Sequence, residues 1–162
     1  MLTNFEDIAD EARLWIYQID KALSIAEEEK LLNATNNFLA NWSAHGKNLH
    51  ASAKIEAHRL LIIAADESFS NASGCSIDSK MAFLREIQIE MGIDLFSRNV
   101  IFYIKDDKLK EEELNSFKTR IATGEISDET LFYNTTIHKK GQLNEGLIIP
   151  VRNSWLMRLI EV

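Results

Sequence analysis

Two adjacent segments with different hydrophobic patterns constrain the fold of this chain most strongly. Between residues 51 and 58, alanine and isoleucine alternate with polar residues, which is typical of a strand with one solvent-exposed face. Residues 60–65, Leu-Leu-Ile-Ile-Ala-Ala, are continuously apolar and predict a strand that is buried on both faces. The two segments therefore predict an edge strand that lies beside a central strand.

The order of the other segments extends this sheet. Residues 14–19 and 100–104 are rich in aromatic and β-branched residues, which favour strands. Helical patterns lie on both sides of the 51–65 pair, so the predicted order is β-α-β-β-α-β. That order is the one of the ferredoxin-like split βαβ arrangement. We therefore expect an α+β fold with a ferredoxin-like core near residues 12–105.

Local signals place the ends of both helices. Ser24 and Glu27 have the spacing of a capping box, so the first helix is predicted to begin there and to end near Gly46. The second helix has apolar residues at helical spacing between positions 77 and 91. Gly92 is predicted to end it as a left-handed cap.

The C-terminal third is predicted as a helix-and-strand elaboration, about residues 106–162, of one single domain that spans residues 1–162. Apolar residues at helical spacing between 114 and 121 predict a third helix. The run Lys-Glu-Glu-Glu at 110–113 is interpreted as its solvated first turn, because acidic residues are favoured at a helix N-terminus.

Two further features of this third concern strands and surfaces. Residues 131–136 predict one or two strands. The tail 147–160 is apolar, and an exposed patch of that size is unusual on a monomer. We therefore expect the tail to pack against the domain or against a second subunit of a homodimer.

Charge and cysteine content exclude several classes of partner. The net charge of the 162-residue chain is −7, with 25 acidic and 18 basic residues. We therefore expect no nucleic acid and no anionic membrane as a partner, since both require clustered Lys and Arg. The single cysteine cannot form an internal disulfide, and no signal peptide is recognised. A cytoplasmic protein is expected.

The most distinctive segment is 66–76, where two carboxylates and a loop of small residues separate the apolar strand from the second helix. In a split βαβ fold, the end of the first helix lies at the same end of the sheet as this loop, which brings the turn 42–47 close to it. We therefore predict a ligand-binding site there. Its candidate residues are Trp42, His45, Gly46, Asp66, Glu67, Ser68, Ser73, Gly74, Cys75 and Ser76.

Two chemistries are open for Cys75. A thiol close to a helix N-terminus can act as a nucleophile, and His45 could serve as its base, with the backbone amides of residues 73–76 as oxyanion donors. Alternatively, Cys75 packs as a structural residue and Ser73 or Ser76 caps the helix. Acidic neighbours, among them Asp78, favour the structural alternative because they raise a thiol pKa.

Metal and cofactor motifs are missing from the sequence. The four histidines have no His-x-x-x-His spacing, and one cysteine forms no zinc site. Two adjacent carboxylates, Asp66 and Glu67, are more simply explained as the solvated end of a strand. No Gly-x-x-x-x-Gly-Lys-Ser/Thr loop and no Gly-x-Gly-x-x-Gly fingerprint occurs. We therefore expect neither a metal nor a cofactor.

Four segments together carry a resemblance to a known family. Residues 15–18, 42–46, 66–68 and 72–78 resemble an uncharacterised family of short bacterial proteins, some of which are labelled "ABC transporter ATPase". The similarity covers most of the chain. Because the chain has no Walker loop, we reject ATP hydrolysis as its function.

The sequence thus predicts three alternatives for function. The first is a small protein that binds a ligand or partner through the two loops and has no catalytic activity. The second is an enzyme with Cys75 as nucleophile and His45 as base. The third is an adaptor that docks a partner through the apolar C-terminal tail.

Overall fold

The computed structural model describes residues 1–68 and 70–160, and these divide into two compact units. The first comprises residues 1–97 together with 138–141. The second comprises residues 98–137 and 142–160. Both helices and strands are present, which confirms the α+β class. The unit boundary falls after residue 97 and not near 105, so the strand predicted at 100–104 belongs to the second unit.

In the first unit, two helices pack on one face of a small sheet. Their contact buries apolar residues of both layers, among them Leu31, Leu61, Ile63 and Leu84. The elements of this unit are β1 (Arg13–Gln18), α1 (Ile25–Ala40), β2 (Ser43–Ala44), β3 (Lys47–Asn48), β4 (His50–Glu56), β5 (Leu60–Asp66) and α2 (Gly74–Met91).

The three-stranded sheet has the order β1-β5-β4, with β5 antiparallel to both neighbours. Residues 60–65 of β5 are completely buried, which confirms the prediction of a central strand from their unbroken apolar run. Strand β4 has β5 as its one ladder partner among the described residues, apart from an isolated bridge between Leu2 and Ala51. Strand β4 is thus an edge strand, as predicted, but its expected solvent-exposed face is closed at Ser52, which is buried.

The four-stranded ferredoxin-like sheet is not confirmed, and the placement of residues 100–104 in this sheet is wrong. The free edge of β1, where that strand was expected, is hydrogen-bonded by a short segment from later in the chain. The Leu14 amide donates to the His138 carbonyl at 2.9 Å, and the Lys140 amide donates to the Ala12 carbonyl at 3.0 Å. This segment thus occupies the start of the edge of β1 at which the fourth strand was expected.

The helix boundaries follow the local signals with one exception. Ser24 and Glu27 form the capping box, and Gly92 is the left-handed cap of α2. Helix α1, however, ends at Ala40 and not near Gly46. The reason is a tight hairpin of β2 and β3, whose two turn residues, His45 and Gly46, both have positive φ angles.

The second unit has an antiparallel sheet of the order β7-β6-β8-β9, with short helices beside it. Its core includes Phe117 from a helix and Phe132 from a strand. The elements of this unit are β6 (Val100–Lys105), β7 (Lys108–Glu113), α3 (Leu114–Ala122), β8 (Leu131–Tyr133), α4 (Leu143–Gly146), β9 (Ile148–Pro150) and α5 (Leu156–Ile160).

The acidic run 110–113 is a strand, so its interpretation as the first turn of a helix is wrong. It pairs with β6 across a two-residue turn, Asp106 and Asp107, both of which have positive φ angles. Helix α3 begins only afterwards, where the Glu113 carboxylate accepts a hydrogen bond from the Ser116 amide at 3.0 Å. Cross-strand pairing has therefore prevailed over the helical preference of these residues.

Much of the apolar tail packs into the core of its own unit. Val151 and Leu156 are completely buried in the cluster that contains Phe117. Of the described tail residues with large apolar side chains, Ile148 and Leu159 are exposed. The adaptor hypothesis thus loses most of the apolar surface on which it depended. Among the described residues, no helix is long and apolar enough to cross a membrane.

Candidate functional site

The structure brings the turn 42–47 and the loop 66–76 together at one end of the first sheet. Strand β4 begins with His50, which lies opposite Asp66 at the end of β5. The Ser70 hydroxyl donates a hydrogen bond to the Ala44 carbonyl at 3.4 Å, which links the two segments directly. We call the region formed by residues 42–47 and 66–76 the corner site; Phe69 within it lies outside the described residues.

Trp42 anchors this arrangement from below. Its side chain is buried, and its indole Nε1 donates a hydrogen bond to the Ser76 carbonyl in the first turn of α2 at 2.8 Å. Its ring packs edge-on against Trp15 of β1, with 5.8 Å between the ring centres. Trp42 is therefore a structural support of the corner site and does not present its ring to solvent.

The two carboxylates organise the loop that follows β5. Asp66 accepts hydrogen bonds from the amide and the hydroxyl of Ser68, at 2.9 and 2.6 Å. The Ser68 hydroxyl and then its amide hold the pKa of Asp66 below its usual range. Glu67 accepts from the Ala72 amide at 2.9 Å and lies 3.8 Å from the Arg13 guanidinium. Both acids therefore fix loop geometry.

Serine side chains cap helix α2, as the simpler alternative predicted. The Ser73 hydroxyl accepts a hydrogen bond from the Ser76 amide at 3.1 Å, and the Ser76 hydroxyl donates to the Ser73 carbonyl at 2.8 Å. Ser76 is buried, whereas Gly74 and Cys75 are exposed. The first turn of the helix thus presents the thiol to solvent.

His45 and Cys75 are both exposed at the corner site. His45 projects from the β2–β3 turn next to Gly46, which is also exposed. Within residues 1–68 and 70–160, no hydrogen bond joins the imidazole to the thiol. The proposed pairing of nucleophile and base therefore stays a prediction, although both groups are accessible.

Sequence reasoning missed the most unusual group near this site, Lys80 of α2. Its side chain is only 1 % exposed, and its Nζ lies 3.7 Å from the ring centre of Trp15 and 5.5 Å from that of Tyr17. Burial, and then the nearby Arg13 charge, lower the pKa of Lys80 to about 7. The signal was present, because position 80 lies on the apolar stripe that includes Ile77 and Leu84.

Arg13 is the second cation that sequence reasoning missed. Its guanidinium carbon lies 4.8 Å from the same Trp15 ring centre, and its side chain is 43 % exposed. Lys80 and Arg13 thus share one aromatic platform, while Glu67 pairs with Arg13. The region beneath the corner site combines two positive groups with one carboxylate.

The residues that the structure describes contain no group of three or more His, Cys, Asp or Glu side chains that could hold a metal ion. Comparison with known proteins finds no matching family model, no similar curated protein and no similar solved structure. The resemblance to a family of short bacterial proteins therefore stays a prediction. Function is inferred from the geometry of the chain itself.

Proposed function

We propose that this protein binds a small polar ligand at the corner site. The observation that carries the proposal is the hydrogen bond from Trp42 to the Ser76 carbonyl, because it fixes the turn 42–47 against the start of α2. A rigid scaffold that presents accessible polar groups on two loops is a common design of binding sites.

The surface of the corner site favours a small polar ligand over an apolar protein partner. Exposed groups there include the His45 imidazole, the Ser68 hydroxyl and the Cys75 thiol. Among the described residues, none of the exposed large apolar side chains lies in the corner site. Protein interfaces, by contrast, usually have an apolar core.

A matched pair of histidine variants tests this proposal. His45 and His58 are both exposed and both adopt positive φ angles, but His58 lies in the turn between β4 and β5, at the other end of these strands. Asparagine tolerates this conformation, so His45→Asn and His58→Asn preserve both turns. A panel of organic acids, amino acids, sugars and nucleotides is screened by thermal shift.

We expect at least one compound to raise the melting temperature of the wild-type protein. The increase should be reduced in His45→Asn and retained in His58→Asn. No stabilisation by any compound, or an equal loss in both variants, would contradict the proposal.

The exposure of Cys75 also keeps the thiol-enzyme alternative open. If His45 acts as its base, the rate of alkylation of Cys75 by iodoacetamide at pH 7 should fall in His45→Asn and not in His58→Asn. Equal rates in all three proteins would remove this alternative and would leave ligand binding unaffected.

A further inference from the structure

Lys80 is buried without the partner that a buried ammonium normally has. Within residues 1–68 and 70–160, its Nζ forms no hydrogen bond and no ion pair, and its polar environment consists of the faces of Trp15 and Tyr17. Enclosing a charge in this way is costly unless a carboxylate pairs with it. Glu67 of the corner site pairs with Arg13 instead, at 3.8 Å.

The positive charge of Arg13 adds to this cost. Both cations lie within 5 Å of the centre of the Trp15 ring, and the Arg13 charge disfavours the charged form of Lys80. A lysine that is desolvated and lies next to a second cation is a recognised form of activated amine nucleophile. Because its pKa is about 7, the fraction of this amine that is neutral at pH 7 is on the order of a thousand times that of an exposed lysine.

The direction of the helix points Lys80 towards the corner site. Side chains of a helix tilt towards its N-terminus, and Lys80 lies one turn after Ser76 on the same buried face. Trp15, on which its Nζ rests, contacts Trp42. The amine therefore lies beneath the corner site, at a Trp15 ring that it shares with the partly exposed Arg13.

We propose that Lys80 forms an imine with a small oxo acid, whose carboxylate pairs with Arg13. The proposal rests on ligand binding at the corner site and assigns the ligand a chemical class. Such a molecule has a carbonyl, which a neutral amine can attack, next to a carboxylate, which a guanidinium can bind. Lys80 and Arg13 supply these two groups at the same Trp15 ring.

The reaction is balanced without a further reactant. The lone pair of Nζ attacks the carbonyl carbon, a C–N bond forms, and the carbonyl oxygen takes up a proton to give a carbinolamine. The C–O bond then breaks, and the oxygen leaves as water with the two protons that the neutral amine has lost. The product is a C=N bond, and nothing is oxidised or reduced.

Reductive trapping of the wild-type protein tests the proposal. Glyoxylate, the smallest oxo acid, suits a buried amine; it is added at pH 7 with cyanoborohydride, and the modified lysines are mapped by peptide mass spectrometry. We expect carboxymethylation of Lys80 at least tenfold above that of the exposed lysines Lys21 and Lys30, which serve as internal controls. Acetaldehyde, which has no carboxylate, should modify Lys80 less.

The variant Arg13→Gln tests the role assigned to the guanidinium. It should reduce the preference of Lys80 for glyoxylate over acetaldehyde at least threefold, since only glyoxylate has a carboxylate to pair. Modification of the exposed lysines with Lys80 unmodified would overturn the inference and would identify Lys80 as a structural cation on Trp15.

The proposed function can fail independently of this inference. If other compounds stabilise the wild-type protein but not His45→Asn, while Lys80 resists trapping, then binding at the corner site stands and imine formation is wrong. If Lys80 is trapped and His45→Asn has no effect on any ligand, then the amine is reactive but the corner site is not where the ligand binds.

Discussion

Lys80 in α2 and Arg120 in α3 are both cations on helices, but their surroundings shift their pKa values in opposite directions. Arg120 donates to Glu112 at 2.5 Å and lies 3.2 Å from Glu125, and these carboxylates, Glu112 first, raise the pKa of Arg120. Lys80 is almost completely buried, is paired with no described carboxylate, and has a lowered pKa. Both side chains carry the same charge, so the groups around each one decide whether its pKa is raised or lowered.

The difference separates a structural cation from a candidate reactive one. Arg120 is paired with two carboxylates and joins a strand to a helix, as expected of a stabilising ion pair. Lys80 makes the first unit less stable whenever it is protonated, because its ammonium has lost its hydration. A group that costs stability without structural compensation is a functional candidate.

The largest expected effect is a pH dependence of the first unit that originates from Lys80. Its pKa is about 7 when folded and about 10.5 when unfolded, so between these values the unfolded chain binds a proton that the folded chain lacks. The free energy of unfolding should therefore rise with pH across this window, by on the order of several kcal/mol. Chemical denaturation between pH 6 and 10 measures this slope.

Lys80→Met should flatten that slope and should stabilise the protein most at pH 6, since an unbranched apolar side chain replaces a desolvated charge. The exposed Lys30, paired with Glu90, provides the control, and Lys30→Met should leave the slope unchanged. A slope in Lys80→Met equal to that of the wild-type protein would show that Lys80 does not titrate in this range.

Replacing Arg120 by methionine should destabilise the protein instead of stabilising it, and the change in stability should be smaller. Arg120→Met leaves Glu112, whose Oε2 is already buried without a hydrogen bond, without its counter-ion. We expect the melting temperature to fall by a few degrees at pH 7. Adding Glu112→Gln should recover part of the loss, and no recovery would argue that packing of the Arg120 stem dominates.

A still smaller effect is expected when the platform under Lys80 is changed. Trp15→Phe weakens the contact of the ammonium with the ring, by about 1 kcal/mol, and only when Lys80 is protonated. The cost of lost packing, by contrast, is the same at every pH. The variant should thus be more destabilised at pH 6 than at pH 9. Trp42→Phe should show no such difference, because no cation of the described residues lies on the Trp42 ring.

The smallest effects concern the caps of the two helices. Ser73 is the N-cap of α2, which contains Lys80, and Glu113 is the N-cap of α3, which contains Arg120. Each side chain accepts a hydrogen bond from one backbone amide. Ser73→Ala and Glu113→Ala should each cost about 1 kcal/mol or less in chemical denaturation. A markedly larger loss for Ser73→Ala would mean that this cap also orders the corner site.

The sequence was sufficient where a local pattern decides the structure. The unbroken apolar run 60–65 identified the central strand, and Ser24 and Gly92 marked helix ends. Both signals, a run of apolar residues and a capping residue, are local in the sequence. It was insufficient where strands compete for partners. Residues 100–104 pair with the next strand in a hairpin. Residues 138–140, more than 120 positions after β1 in the sequence, form hydrogen bonds at the edge of β1 instead.

The candidate site divides in the same way. Sequence order and topology correctly brought Trp42 and Ser76 close together, since the β-α-β-β arrangement of the first unit follows from local elements. The roles of individual side chains did not follow. Trp42 is a buried support, and Lys80 was overlooked because lysine on a helix is normally assigned to solvent, whereas here its long stem extends over an aromatic ring.

The exposed thiol at the start of α2 has a practical consequence. Cys75 is the single cysteine of the chain, so a maleimide dye would attach at one defined position beside the corner site without any engineered substitution. Its fluorescence would report occupancy of the two loops in real time, whether or not the sulfur takes part in chemistry.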